Sequence, residues 1–195
     1  MTRQLLLATH NLDKARIIGG VIKRLHETWN VKSLLDIGVT TQFEEHGDLI
    51  ARATSKAKHC ANLVRQYSLP SFDLILGIDD GIVIPRLGID SVESEALTDF
   101  ILDGTLPIGE PVVIKEAFAL FSFTDRLLDA VAEVPFRYIG NPRNVRRGPD
   151  TYSLKWVLSR QFDDIPLSEL GGETLIEYYL SFFGRPLDRI LLSSH

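Results

Sequence analysis

Only one cysteine, Cys60, occurs in the 195 residues. No internal disulfide can form and no cysteine pair begins a zinc site, so a reducing interior is the expectation. The five histidines contain no H-x-x-x-H spacing, which argues against a helical zinc centre. Long hydrophobic runs are also missing. Leu5-Leu6-Leu7-Ala8 and Ala117-Phe118-Ala119-Leu120-Phe121 fall far short of the roughly 20 residues needed to cross a bilayer. Met1-Thr2-Arg3-Gln4 followed by so short a run does not read as a signal peptide. Nor is there a basic excess: 21 Lys+Arg against 26 Asp+Glu leave a net charge of -5, which excludes a polybasic binder of nucleic acid or membrane. The expectation is a cytoplasmic protein with no nucleic-acid and no membrane partner.

What is present is ordinary globular material. With 45% hydrophobic and 24% charged residues and a mean hydropathy of +0.05, the chain has enough apolar side chains for a sizeable core. Its length suits a single domain, residues 1–195, with a second lobe at about 86–140. Gln4–Ala8 is a short apolar run that stops at Thr9-His10-Asn11. From Asp13 the period changes, placing Ile18, Val21, Ile22, Leu25 and Trp29 on one helical face. Val31–Val39 reads as a second strand. Ile50, Ala53, Ala57, Cys60, Ala61 and Val64 form the buried stripe of a second helix. Asp73–Ile78 is a third strand, and Gly81–Ile84 is a further extended run after the acidic pair Asp79-Asp80. A short helix around Glu95–Leu102 precedes Val112–Phe123 and Leu127–Ile139, which read as a long hairpin. One or two helices, through Trp156 and through Leu175 to Phe183, complete the chain. The fold class is therefore α/β (mixed): a central twisted mixed sheet flanked by helices, with a β-rich second lobe.

Several residues could carry chemistry. Thr9-His10-Asn11-Leu12-Asp13-Lys14 leaves a strand and opens a helix, where unpaired backbone N–H groups and the dipole favour an anion such as phosphate. The plainer alternative is that Asn11 or Asp13 merely caps the helix. Glu44-Glu45 offers hard oxygen donors for Mg²⁺, or else complements the dipole of the following helix. Arg52, Lys56 and His59 share a face away from the apolar stripe, either as a solvated row or as the lining of a polyphosphate channel. Asp79-Asp80 follows an apolar strand, where ligands of open α/β sheets bind; the alternative is a tight Asp80-Gly81 turn between two strands. Arg143, Arg146 and Arg147 could grip phosphate or simply be exposed. Cys60 lies on the apolar stripe and reads as core.

In this order the motifs resemble the inosine triphosphate pyrophosphatase-like family, enzymes that hydrolyse non-standard purine nucleoside triphosphates. The resemblance rests first on an apolar strand followed by Thr-x-Asn-x-x-Lys, here Leu5 to Lys14. It rests also on an acidic residue ahead of a helix bearing Lys-Ala, here Glu44-Glu45 and Lys56-Ala57, and on a strand ending in Asp-Asp-Ser-Gly, here Asp79-Asp80-Gly81.

The resemblance implies Mg²⁺-dependent hydrolysis at the α-phosphorus to a monophosphate and pyrophosphate. Thr9, Asn11, Lys14 and Lys56 would hold the triphosphate, Lys56 and Asp80 would be catalytic, and Glu44 (or Glu45) and Asp80 would hold the metal. Arg185, in Phe183-Gly184-Arg185, is the one residue kept from the family's C-terminal Ser-His-Arg and would bind substrate. A homodimer is implied too. The serine of Asp-Asp-Ser-Gly is absent, and Tyr152-Ser153-Leu154 stands where the family has a base-selecting Tyr-Asp-Pro. An altered base preference is therefore expected, and a non-catalytic nucleotide-binding or regulatory protein on the same fold is the alternative.

Overall fold

A computed structural model describes residues 2–40, 46–67, 69, 71–92, 94–122, 127–140 and 157–194. The expectations placed on Glu44, Glu45, the 124–126 turn, Arg143, Arg146, Arg147, Tyr152–Leu154 and Trp156 lie outside them. The chain runs β1 (Arg3–Ala8), α1 (Leu12–Leu25), β2 (Trp29–Ser33), α2 (Leu49–Gln66), β3 (Leu74–Ile84), β4 (Ile89–Val92), α3 (Ser94–Leu102), β5 (Pro111–Ser122), β6 (Leu127–Tyr138), β7 (Leu158–Arg160) and α4 (Gly172–Leu192). Seven strands pair in the order β2-β1-β3-β5-β6-β7, with β4 on β3. The sheet is mixed, as expected: β1 is parallel to β2 and β3, whereas β3–β4 and β6–β7 are antiparallel.

The chain folds into two compact units. The first comprises Met1–Asp79, Glu116–Ala132 and Ile176–His195. In it, successive side chains of a strand point to opposite faces, and each face meets a different helix. Leu6, Ala8, Ile75 and Phe121 cluster with Ala57, Cys60, Ala61 and Val64 of α2. On the other face α1 lies so close that a Cβ on Gly19 would meet Leu7 and Val31. Phe183 of α4 packs edge-on to Phe118 of β5, ring centroids 5.2 Å apart. Full burial of each such Leu, Ile or Phe contributes about 1.5–3 kcal/mol, so these two layers hold the unit together. Cys60 is fully buried in the first of them, as its place on the stripe predicts.

The second unit comprises Asp80–Lys115 and Glu133–Leu175. Ile82 and Ile84 of β3, Leu97 and Ile101 of α3, Val112 of β5 and Val134 and Phe136 of β6 are buried in it. Arg86 donates to the buried Glu110, at 3.2 Å.

Five expectations need correcting. Ile50 is not on the buried stripe of α2: it is exposed, and Leu49 is buried instead. The second strand does not run from Val31 to Val39: it starts at Trp29 and ends at Ser33, where the Asp36 carboxylate accepts both the Ser33 backbone N–H (2.6 Å) and its hydroxyl (2.8 Å) and turns the chain into a short 3-10 segment. Trp29 is therefore a strand residue, not part of the α1 face. The two extended runs around Asp79-Asp80 are one strand of 11 residues, β3, so no Asp-Gly turn separates them. The last helix continues past Phe183 to Leu192 despite Gly184 and Pro186, because Leu187, Ile190 and Leu191 are buried on its further turns.

Candidate functional site

The corner between β1 and α1 is assembled by short-range hydrogen bonds. Thr9 is buried, and its hydroxyl oxygen accepts the backbone N–H of Asn11 at 3.1 Å, leaving the hydroxyl proton to donate. Asn11 has extended backbone (φ -76, ψ 110) and its Oδ1 accepts the Lys14 N–H at 3.0 Å. The cap is thus Asn11 rather than Asp13. It satisfies one amide of the first turn, while those of Leu12 and Asp13 stand at the positive end of the helix. Lys14 extends to within 3.8 Å of the buried Glu116 of β5. His10, between Thr9 and Asn11, meets the Val39 carbonyl through Nε2 at 3.1 Å.

Sheet register places this corner beside the acidic strand. Ala8 pairs with Gly77 in parallel β1–β3 pairing, so the chain leaves β1 at Thr9 on the level at which β3 proceeds through Ile78 to Asp79. Asp79 faces α2. Its Oδ1 accepts Lys56 Nζ at 2.6 Å and its Oδ2 accepts Arg52 Nε. All three side chains are nearly buried, 12% exposed for Arg52, 11% for Lys56 and 4% for Asp79. The solvated row expected of Arg52 and Lys56 is therefore not what the helix presents. These residues turn toward the sheet, and a charged group buried without a partner would be costly.

Gly77 permits this arrangement. A Cβ there would stand 1.9 Å from the Ala53 carbonyl oxygen of α2, so helix and strand backbones touch just where Arg52 and Lys56 must reach Asp79. Asp48 caps α2, accepting the Ala51 N–H at 2.8 Å.

Asp80 is the next residue along β3 and points to the opposite side of the strand from Asp79; it is half-buried. Arg185 is exposed on α4, next to Pro186. Among the described residues no three His, Cys, Asp or Glu side chains gather into a metal cluster. The donor chemistry of Asp80 nevertheless suits Mg²⁺, which usually takes one or two carboxylates and fills its shell with water and phosphate oxygens. Asp79 does not, because a lysine and an arginine already occupy its two oxygens.

One charged residue near this corner is not singled out by the sequence, and another stands out there only as half of a pair. Glu116 sits in an apolar strand, Val112–Ser122, and a lone acid among β-formers was the available signal. Asp79 was read only as half of a pair; its separate role follows from strand alternation, which sends neighbouring side chains to opposite faces.

No helix among the described residues is long and apolar enough to cross a membrane. No protein-family model matches the chain, and no curated protein matches it. Solved structures do resemble it. A HAM1 protein from Coxiella burnetii is similar at a TM-score of 0.60 and 15% identity over 98% of this chain and 99% of that one. The Ham1 protein of Staphylococcus aureus gives 0.55 and 10% over 99% and 100%. A nucleoside-triphosphatase / dITP/XTP pyrophosphatase from Mycobacterium abscessus gives 0.53 and 15% over 97% and 98%. At these identities the likeness is one of fold, and it spans each chain from end to end: the protein has the fold of the Ham1 proteins and of the dITP/XTP pyrophosphatase.

Proposed function

We propose that the protein is a nucleoside triphosphate pyrophosphatase, hydrolysing its substrate to a monophosphate and pyrophosphate. The observation that carries this reading is the Thr9–Lys14 corner, an anion-favouring helix start at a strand end, on a fold shared over nearly the whole chain with a dITP/XTP pyrophosphatase. In this reading the first-turn amides of α1, the Thr9 hydroxyl and the Nδ2 amide of Asn11 donate to phosphate oxygens. Lys14 and Lys56 balance charge as it develops on the departing pyrophosphate, and Arg185 adds a further contact to the substrate. Asp80 takes a proton from the attacking water while a P–O bond forms at the α-phosphorus and the bond to the bridging oxygen breaks. Asp80, with Glu44 or Glu45, would hold Mg²⁺, which when bound neutralises phosphate charge and polarises the reacting phosphoryl group. A homodimer and an altered base preference belong to the same reading.

The test is release of pyrophosphate and monophosphate from a panel of standard and deaminated nucleoside triphosphates, with and without Mg²⁺. Metal-dependent release lost in Asp80→Asn is the expected result; full activity in that variant overturns the assignment of Asp80. A binding protein without turnover is the second reading, favoured by Gly81 standing where the family has serine. It predicts saturable nucleotide binding and no product from any member of the panel.

A further inference from the structure

Arg52 and Lys56 lie one helical turn apart on α2, and both reach the same carboxylate, one at each oxygen of Asp79. The close approach of Ala53 to Gly77 fixes how far along β3 these cations stand. A lysine buried against a carboxylate alone would have its field largely cancelled by its partner at 2.6 Å. A second cation on the other oxygen orients that carboxylate and competes for its charge, so that less of the lysine's field is cancelled. From this geometry we infer that Arg52 is a positioning residue for Lys56: by holding Oδ2 of Asp79 it orients the carboxylate and keeps the lysine electropositive toward a polyphosphate. This rests on the reading that Lys56 contacts triphosphate.

Arg52 differs from residues that touch substrate themselves in that, in this proposal, its influence passes through Asp79 and Lys56. Calorimetry with inorganic triphosphate at fixed ionic strength, which requires no turnover, is the first measurement, with steady-state kinetics beside it. Arg52→Gln should weaken triphosphate binding about tenfold, the size expected when a charge-assisted bond is lost, and lower kcat/KM by at least that factor, with kcat falling as well because Lys56 meets charge that develops in the transition state. Arg52→Lys should recover most of the loss. Arg52→Met, which keeps the packed stem but not the charge, should not. In an Asp79→Asn background, Arg52→Gln should have no further effect. Should Asp79→Asn fail to fold, the Lys56→Met background serves, since the effect must vanish there too.

A loss that persists in both backgrounds means that Arg52 binds phosphate directly and overturns the inference, as does unchanged affinity in Arg52→Gln. Wild-type protein that binds triphosphate and hydrolyses nothing defeats the pyrophosphatase reading but leaves the Arg52 result standing. Wild-type protein that binds no triphosphate defeats both.

Discussion

Lys56 Nζ lies 2.6 Å from Asp79 Oδ1, and this pair ties the middle of α2 to β3 where almost no water reaches. Removing one partner of a buried ion pair leaves the other uncompensated, at a cost of about 3–5 kcal/mol. Asp79→Asn is therefore expected to lower the urea unfolding free energy by roughly 3 kcal/mol. Asp90→Asn, which removes the exposed partner of Lys115, should change it by less than about 1 kcal/mol. Equal effects would mean that the Asp79 cluster is no stronger than a surface pair.

Gly77→Ala should be among the most damaging single-methyl additions in the protein. The added carbon would overlap the Ala53 carbonyl oxygen at 1.9 Å, and backbone cannot rotate away as a side chain can. Overpacking usually costs about 1–3 kcal/mol, and the upper end or beyond is expected here. Gly38→Ala gives a contrast, since open space surrounds Gly38 and only its φ of 72 resists a side chain. Thermal melts of the two variants would compare these penalties directly.

Asn11→Ala should lose two things at once. Loss of the cap on Lys14 N–H lowers stability by about 1 kcal/mol. Loss of the amide donor should raise KM for triphosphate. Asn11→Asp separates them, because aspartate caps as well as asparagine but repels phosphate. It should melt like wild type and bind triphosphate more weakly. Asn11→Asp with wild-type affinity would remove Asn11 from the phosphate site.

Burial pushes the Cys60 thiol up from an ordinary 9.0 to about 12. Above pH 9 the unfolded chain releases this proton while the folded chain retains it, so stability falls as pH rises from about 9 toward 12, by up to 1.4 kcal/mol per pH unit from this group. Cys60→Ala should flatten that part of the stability profile. In the native protein below pH 9, thiol reagents should label Cys60 only as fast as the protein opens.

Much of the first unit was legible because its signals are local. The Leu5–Leu7 run, the change of period at Asp13 and the small-residue stripe of α2 each reflect burial of one face, which sequence records directly. The corner from Thr9 to Lys14 was legible as a strand end and a helix start for the same reason: its residues are neighbours in the chain. Asp79-Asp80-Gly81 was not legible as mid-strand. Asp and Gly are poor strand formers, and their tolerance depends on two cations 23 and 27 residues away. Gly184 and Pro186 likewise signal the end of a helix, yet buried leucines beyond them override it. Lys56 was picked out in the sequence, but its bond to Asp79 depends on the backbone contact at Gly77, which has no sequence signature beyond a glycine in a strand.

The contact between Gly77 and Ala53 bears on how this chain can change in length. An α-helix advances 1.5 Å per residue and turns 100° with it, so slipping α2 by one residue would carry Arg52 and Lys56 around the helix and away from Asp79. What prevents the slip is the fit of a carbonyl against a glycine that has no side chain, within the layer. Leu69 and Phe72, beyond the helix, pack on the same core cluster as its apolar stripe, so their loss should cost stability and leave the charge cluster in place, whereas a single residue inserted between Ala53 and Lys56 should dismantle it.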